Sequence, residues 1–397
     1  MENRPLFAFE RVQIKGYRAL ANVDVPLSSL NVLIGPNGVG KSSFLDLFQF
    51  LAGALGRREP LPKLFTRRGG ILRVRTFGSS DPIALTLTCR IPSAPRSAIK
   101  GPFSYEVIFD PDPKGFGYLI AREQLCQERG QLKPFAFVSR DDRLGVVFDA
   151  AKKKLVPPEP PISPGELLLA QIPRTLTQAE VFRTAFSDIQ VHGPIPVHES
   201  APVRRPQTLE PTSLVVVPEG QNLFSVLYQL RQDAPDFYER LLDVLRAGFP
   251  GFDRLEFSLT GGGQAILAWH HEAFPNQPFY TNELSSGTLR FLHLVTVLLC
   301  PKPQALLCID EPEDSLHPEL IRLLAELLLE ASGRTQIVVA TQSEALVRYL
   351  KPEHVLIADG QNGVCNLTPA TALHLDTWLR DYTLDDLWRN GHLGGRP

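Results

Sequence analysis

The stretch Leu30-Asn31-Val32-Leu33-Ile34-Gly35-Pro36-Asn37-Gly38-Val39-Gly40-Lys41-Ser42 decides the fold class of this chain. Its last eight residues fit G-x-x-x-x-G-K-[ST], the P-loop that binds phosphate groups. The five residues before the loop form an apolar run typical of a buried strand, and residues 43–51 are apolar at helical spacing. A strand, a glycine-rich loop and a helix N-terminus direct several backbone N–H groups toward one anionic position. The sequence therefore predicts a phosphate-binding site here.

The P-loop also predicts the ligand and its contacts. Lys41 is expected to reach the β- and γ-phosphates of ATP, and the hydroxyl of Ser42 is expected to bind Mg²⁺. The predicted ATP-binding residues of the loop are Asn37, Gly38, Gly40, Lys41, Ser42 and Ser43.

Composition limits the classes of protein to which this chain can belong. The chain has 397 residues, of which 43% are hydrophobic and 21% charged, and its formal net charge is −2. These values are ordinary for a soluble globular protein, and the charge gives no global nucleic-acid signature. No apolar run reaches the roughly 18 residues of a membrane span, and no signal peptide is evident. The five cysteines show no C-x-x-C pair. We expect a reduced cytoplasmic protein with no membrane partner and no zinc site.

The order of the sequence patterns predicts an α/β protein with a mostly parallel sheet flanked by helices, an antiparallel β subdomain and an inserted helical lobe. Residues 1–155 are expected to form an N-terminal lobe with the P-loop and an antiparallel meander. Residues 156–254, whose first part is rich in proline, are expected to form a linker and a helical lobe. Residues 255–397 return to strand–helix alternation and are expected to form a C-terminal lobe.

A second apolar run, residues 305–309, ends in two carboxylates, Asp310 and Glu311. P-loop enzymes hold Mg²⁺ with an acid at the tip of such a strand. We assign Asp310 to Mg²⁺ and Glu311 to the general base that polarises the attacking water. The alternative is a pair of solvated acids in a turn at the end of the strand.

Two motifs flank this strand. Glu283-Leu284-Ser285-Ser286-Gly287-Thr288 lies upstream, and Glu313-Asp314-Ser315-Leu316-His317-Pro318 follows. With the P-loop, they resemble the signature motif, Walker B end and D-loop of the ABC-type ATPases, specifically the RecF/SMC-like branch. The resemblance covers residues 1–55 and 280–360. It implies an ABC-type head in which the signature of one copy contacts ATP on the P-loop of another.

The resemblance implies further site residues. Ser285, Ser286, Gly287 and Asp314 would contact the nucleotide across the dimer, although Ser286 could instead be the N-cap of an ordinary core helix. Gln342 occupies the switch position, where histidine is usual, so hydrolysis is expected to be slow. Arg18 matches a position beside the nucleotide, or is a solvated strand-end arginine. For the glutamine that binds Mg²⁺, we select Gln171, with Gln124 second; either could be a plain surface residue.

These observations predict an ATP hydrolase that forms a homodimer on binding ATP. DNA is a candidate partner through basic clusters such as residues 67–75 and 152–154, although solvated loop charge explains them better. The resemblance to RecF-like ATPases suggests a role in DNA repair or phage defence, and OLD-type relatives carry a metal-dependent nuclease domain after the ATPase. About forty residues follow position 355, so any nuclease or effector is expected to be a separate protein. The alternatives are an ATP-sensing module with little hydrolysis and the ATPase subunit of a transporter.

Overall fold

The computed structural model describes residues 7–90, 101–112, 117–142, 144–149, 151–159, 161–172, 177–211, 213–361 and 363–394. The strands in these ranges are β1 (Ala8–Tyr17), β2 (Leu20–Pro26), β3 (Leu30–Ile34), β4 (Ile83–Arg90), β5 (Phe103–Pro111), β6 (Tyr118–Arg129), β7 (Leu132–Asp141), β8 (Leu144–Asp149), β9 (Lys154–Val156), β10 (Ile189–His192), β11 (Gln207–Thr208), β12 (Phe252–Gly261), β13 (Gln264–His271), β14 (Phe279–Tyr280), β15 (Leu306–Asp310), β16 (Ile337–Thr341), β17 (Val355–Gln361) and β18 (Val364–Pro369).

The α-helices are α1 (Lys41–Leu51), α2 (Leu61–Arg67), α3 (Ile71–Val74), α4 (Leu168–Gln171), α5 (Thr177–Ser187), α6 (Leu223–Asp233), α7 (Pro235–Gly248), α8 (Ser286–Leu298), α9 (Pro318–Ser332), α10 (Glu344–Val347) and α11 (Leu384–Arg389). Helix α1 continues into a π-helical turn at Ala52–Gly56.

A six-stranded sheet with the order β10-β15-β16-β3-β17-β18 carries the P-loop. Its neighbouring strands pair in parallel except at the β17–β18 edge, which is an antiparallel hairpin. The predicted fold class, with a mostly parallel sheet, is confirmed. Strand β16 lies between β3, which leads into the P-loop, and β15, which ends at Asp310.

The parallel sheet is buried on both faces, which explains why β3 is apolar without alternation. Leu30, Val32 and Ile34 pack into a core with helices α6 to α9. Leu33 packs on the opposite face into the core that contains α1.

The second large sheet is antiparallel, with the order β2-β1-β4-β5-β6-β7-β8-β9. Helix α1 lies between this sheet and the parallel one. Phe48 of α1 packs edge-to-face against Phe9 of β1 and against Phe44, with ring centroids 5.5 Å apart in both pairs. Because Phe44 and Phe48 both belong to α1, the Phe9–Phe48 pair is the one that joins this helix to the antiparallel sheet. Two short helices, α2 and α3, precede β4 and the rest of the antiparallel meander.

The residues of the predicted middle segment, 156–254, are distributed over three parts of the fold. Strand β10 joins the edge of the parallel sheet beside β15. Strand β11 joins a small third sheet with β13, β12 and β14. Helices α4 and α5 contact the π-helical turn that extends α1, whereas α6 and α7 pack near α8.

Gln336 joins the two large sheets through its side-chain amide. Its Oε1 accepts a hydrogen bond from the backbone N–H of Phe9 at 2.9 Å, and its Nε2 donates to the carbonyls of Phe9 and Ser28, both at 2.8 Å. The side chain is 3% exposed. Phe9 is buried, so its N–H and carbonyl depend on this amide, whereas the carbonyl of Ser28 also accepts a hydrogen bond from Asn31 Nδ2 at 2.8 Å.

Replacement of this amide is expected to destabilise the chain. Gln336→Leu keeps the side-chain volume but removes the partner of the N–H and the carbonyl of Phe9, at a cost of about 2–5 kcal/mol. Denaturant unfolding of both proteins measures the difference. The control is Gln221→Leu at an exposed position, for which a change within about 0.5 kcal/mol is expected. Equal stability of Gln336→Leu and the unmodified chain would contradict the bridging role.

Candidate functional site

The P-loop links β3 to α1, and its glycines adopt conformations that other residues rarely take. Gly38 has φ 74° and Gly40 has φ 125°. A Cβ atom at Gly40 would lie 2.9 Å from the Cβ atoms of Ala19 and Cys365. The loop therefore requires glycine at position 40 both for its backbone conformation and for the close approach of its neighbours.

Lys41 is the first residue of α1 and is 5% exposed. Its Nζ donates to the carbonyl of Gly35 at 2.7 Å and to that of Pro36 at 3.0 Å. Burial lowers the pKa of this ammonium group, and the nearby carboxylates of Glu311 and Asp310 oppose that effect. The lysine thus lies across the loop as a buried cation that nearby carboxylates stabilise. A positive charge in this position is suited to binding a polyphosphate.

Asp310 ends strand β15 on the same edge of the sheet. Burial raises the pKa of its carboxyl group, while a hydrogen bond with Ser42 and the charge of Lys41 act against that rise. Its Oδ1 is buried and has no hydrogen-bond partner among the described residues. A buried, unsatisfied carboxylate oxygen beside a hydroxyl is a donor set that suits Mg²⁺.

The described residues contain no cluster of three or more His, Cys, Asp and Glu side chains arranged to hold a metal ion by themselves. Mg²⁺ in nucleotide sites commonly has one or two protein ligands and takes the others from phosphate and water. Ser42 and Asp310 fit that pattern.

Glu311 follows Asp310 and has a left-handed backbone conformation, with φ 47°. Its N–H donates to the carbonyl of Ala340 at 2.8 Å, so strand β16 holds the backbone in this position. Burial, and after it the negative charge of Glu313, raise the pKa of Glu311 to about 7. A carboxyl group that titrates near neutral pH is suited to general-base catalysis.

Glu313 is a residue of this site that the sequence analysis did not select. Its Oε1 accepts hydrogen bonds from Thr341 Oγ1 at 2.5 Å and from the N–H of Gln342 at 3.2 Å. Its Oε2 is buried and has no hydrogen-bond partner in the described part of the chain. Glu313 therefore connects the end of the Asp310 strand with the switch position. The sequence offered one signal for this residue. Glu313 is the second acid of Glu-Pro-Glu and is the first acid after Glu311 in the chain.

The switch position itself is on the surface. Gln342 follows the buried Thr341 at the end of β16, and its side chain is exposed. The parallel register pairs Thr341 with Ile34 and Asp310 with Ala340. The carboxyl ends of the P-loop strand, the switch strand and the Asp310 strand consequently lie side by side.

The signature residues lie at the N-terminus of α8. Ser285 is the N-cap, and its Oγ accepts a hydrogen bond from the N–H of Thr288 at 3.0 Å. The motif does contain an N-cap serine, but it is Ser285, and Ser286 is the first helical residue.

Gly287 and Arg290 bring the signature helix against the D-loop. A Cβ atom at Gly287 would lie 2.5 Å from the carbonyl oxygen of Ser315, so only glycine permits this approach. Arg290, one turn further along α8, donates from Nη1 to Asp314 Oδ2 and to Ser315 Oγ, both at 2.5 Å. The predicted contact residue Asp314 thus forms an ion pair within its own chain. Sequence reasoning missed Arg290, which has no motif of its own.

The glutamine predicted to bind Mg²⁺ has other partners. The side chain of Gln171 accepts from the N–H of Ser163 at 2.7 Å and donates to carbonyls of residues 163, 166 and 167. The second choice, Gln124, lies on β6 of the antiparallel sheet, where Arg122 donates to it. The structure therefore does not bring either residue to Asp310, because each amide is used within its own surroundings.

His192 occupies the edge-strand position next to the Asp310 strand. It is the last residue of β10 and pairs in register with Ile309. Its ring lies 5.4 Å from that of His293, and both are buried. Burial lowers the pKa of His192 to about 4 and that of His293 well below its usual value. Both rings are therefore uncharged at neutral pH and add no positive charge beside the proposed metal position.

Arg18 pairs with the helix that follows the P-loop. Its Nε lies 3.1 Å from Asp46 Oδ2 on α1. The same carboxylate accepts hydrogen bonds from Tyr17 at 2.6 Å and from Arg68 Nε at 3.0 Å. Arg18 is thus near the P-loop, as expected, but part of its charge is balanced by Asp46.

The basic clusters considered for DNA contain arginines with partners inside the chain. Arg67 pairs with Glu59 at 2.6 Å, and Arg68 pairs with Asp46 at 2.8 Å. Arg204 donates to the carbonyls of residues 197, 281, 282 and 284, just before the signature. These contacts favour structural roles for those three side chains over a continuous phosphate-binding surface.

Comparisons with known proteins place these motifs in a family context. The family described as "AAA ATPase domain" matches residues 9–65, and the family described as "AAA domain, putative AbiEii toxin, Type IV TA system" matches residues 210–348. The OLD nuclease of Thermus scotoductus is 39% identical over 93 residues, which cover 20% of this chain and 18% of that protein. The chain thus aligns with about a fifth of the length of this curated relative.

Two solved structures have a similar fold. An SMC head bound to the C-winged helix domain of ScpA has a TM-score of 0.55 and 14% identity, covering 91% of this chain and 97% of that one. An SMC head with an extended coiled coil, bound to the C-terminal domain of ScpA and derived from Pyrococcus furiosus, has a TM-score of 0.53 and 12% identity, covering 94% and 100%. Among the described residues, no helix has the length and apolar character to cross a membrane.

Proposed function

We propose, from the premise that this chain is an ATPase domain of the RecF/SMC-like, ABC-type class, that it hydrolyses Mg·ATP at the interface of a head-to-tail dimer. One observation carries the proposal. The buried Lys41, the Asp310–Glu311 pair and the contact of Glu313 with the switch meet where three neighbouring strands end. A phosphate-binding cation, a metal ligand and a base within one small region are the parts that phosphoryl transfer to water requires.

Each residue has a role in the proposed reaction. Lys41 and the backbone N–H groups of the P-loop bind the β- and γ-phosphates. Ser42 and Asp310 would hold Mg²⁺, which neutralises charge on the phosphate oxygens when it is bound. Glu311 accepts a proton from the water that attacks the γ-phosphorus, while the bond to the bridging oxygen breaks and ADP leaves with that electron pair. Glu313 fixes the backbone of the switch beside this water.

Turnover is expected to be slow. Gln342 can donate a hydrogen bond to the γ-phosphate or orient water, but it cannot carry a proton as histidine can. This substitution also favours a second candidate function, an ATP-sensing module whose bound state is the signal. Steady-state release of phosphate at saturating ATP distinguishes the two functions.

A second copy completes the proposed site. In each chain the signature helix is tied to its own D-loop through Gly287 and Arg290. We propose that Ser285, Ser286 and Gly287 face the γ-phosphate bound by the partner subunit, with the N-terminus of α8 directed at the anion. Dimer closure would then be coupled to an output such as DNA binding or control of a separate effector or nuclease.

Complementation between two inactive variants tests the composite site. Lys41→Ala removes the P-loop function, and Ser286→Arg blocks the signature with a bulky side chain at a partly exposed position. A heterodimer of the two retains one intact site, because one chain supplies the P-loop and the other supplies the signature. A 1:1 mixture should therefore regain up to about a quarter of the unmodified turnover. Two folded variants that stay inactive when mixed would exclude the shared site.

A further inference from the structure

An open cleft of about 490 Å³ lies beside the P-loop. Three arginines line it, namely Arg18, Arg73 and Arg75, together with the apolar side chains of Leu72 and Phe77. We call it the arginine cleft. Phe77 is 96% exposed and Leu72 is 48% exposed, so both present apolar surface to solvent. An exposed aromatic ring beside guanidinium groups is an arrangement that binds flat, electron-rich ligands such as nucleobases.

The arginine cleft adjoins the proposed phosphate position. Ala19 belongs to its wall, and the Ala19 Cβ would lie 2.9 Å from a Cβ atom at Gly40 of the P-loop. Arg18 pairs with Asp46 on the helix that starts at Lys41. A nucleotide whose phosphates lie on the P-loop has its ribose and base outside the loop, and this cleft is the adjoining space.

The polar side chains that line the cleft are all hydrogen-bond donors. Its lining has three guanidinium groups and no carboxylate or amide side chain. Two nearby carbonyls already accept a backbone N–H: that of Ala19 from Cys365 at 2.7 Å, and that of Val74 from Arg18 at 2.6 Å. The exocyclic amine of adenine is a donor and needs an acceptor, whereas O6 and N7 of guanine are both acceptors.

Arg73 and Arg75 are the arginines available to a ligand. Within the described residues, no ion pair with an acid is found for either, and Arg75 makes only a 3.5 Å contact with the Ser80 carbonyl. An arginine fork matches the adjacent O6 and N7 of guanine with two parallel hydrogen bonds, and it can give adenine only one, at N7. The side chains therefore offer nothing that selects adenine over guanine.

We infer that the arginine cleft receives the purine base and accepts guanine as well as adenine, so that GTP is a second substrate of the same site. This inference rests on the proposed nucleotide-binding function. Stacking on Phe77 supplies attraction that is common to the bases, and Arg73 and Arg75 determine the preference among them. Hydrolysis of GTP then follows the same step as that of ATP and yields GDP and phosphate.

Calorimetry with the full chain, Mg²⁺ and non-hydrolysable analogues of ATP and GTP tests the inference. The dissociation constant of the GTP analogue is expected to lie within tenfold of that of the ATP analogue, or below it. Binding of the ATP analogue that is more than tenfold tighter would overturn the inference and leave the proposed function intact. Failure of both analogues to bind would overturn both.

Variants of the cleft test the two arginines. The double variant Arg73→Ala, Arg75→Ala is expected to weaken GTP binding at least about fivefold more than ATP binding. The double lysine variant keeps the charge but not the fork, and is expected to show a similar relative loss. The control is Arg67→Ala, which removes an exposed arginine paired with Glu59 and should leave the ratio unchanged. Equal losses for both nucleotides in the alanine variant would overturn the assignment of Arg73 and Arg75.

Discussion

Lys41→Ala is expected to reduce the affinity for ATP by at least about a hundredfold, to below detection by calorimetry. Lys41 is 5% exposed, and its ammonium group donates to the carbonyls of Gly35 and Pro36. Two charge-assisted hydrogen bonds to phosphate oxygens contribute about 1.5–3 kcal/mol each, and the variant loses both. No other residue of the P-loop carries a positive charge, so nothing replaces the lost cation.

The control for this variant is Lys15→Ala, which removes an exposed lysine on β1 outside the P-loop. Its affinity for ATP is expected to match that of the unmodified chain. Thermal unfolding of both variants establishes that they are folded. ATP affinity retained by folded Lys41→Ala would remove the P-loop assignment and, with it, the proposed function.

Glu311→Gln is expected to lower ATP turnover about 10²- to 10⁴-fold while ATP binding persists. The amide keeps the size of the side chain but cannot accept the proton of the attacking water. Because product formation then fails, the ATP-bound dimer should accumulate. Light scattering at saturating ATP measures the mass of the complex, and phosphate release measures turnover.

Glu353→Gln is the matched control, since Glu353 is exposed and pairs with its neighbour His354, outside the proposed site. It should turn over ATP at the unmodified rate and show no accumulation of dimer. A Glu311→Gln protein that remains monomeric at saturating ATP would argue against the head-to-tail arrangement. Unchanged turnover would assign the base to another residue, for which Glu313 is the nearest candidate.

Elements with strong local signals were predictable from the sequence. The apolar run at residues 305–309 forms the strand Leu306–Asp310, and an apolar pattern at helical spacing forms the helix Pro318–Ser332. In each case an apolar pattern is bounded by residues that begin or end an element, such as Pro318 at the first helical position. The P-loop was equally clear, because its glycines and lysine serve a backbone geometry that few other sequences support.

Contacts between distant segments were not predictable in the same way. Strand β10 has only four residues and lies after a proline-rich stretch, so no periodicity could place it beside β15. Two contacts depend on how strands and helices meet in space. They are the hydrogen bond of Glu313 with Thr341 and the ion pair of Arg290 with Asp314. Gln171 was selected for residue type and position, yet its amide closes a local turn.

The place of β3 within the parallel sheet has a consequence for synthesis on the ribosome. Its neighbours are β16 and β17, and Asn31 donates to the carbonyl of Ile337, 306 positions further along. At about 5–20 residues per second, the apolar strand waits on the order of 15–60 s before its partners emerge. During that interval the nascent chain carries an unpaired hydrophobic segment. We therefore expect chaperones to bind ribosome-bound intermediates of this chain.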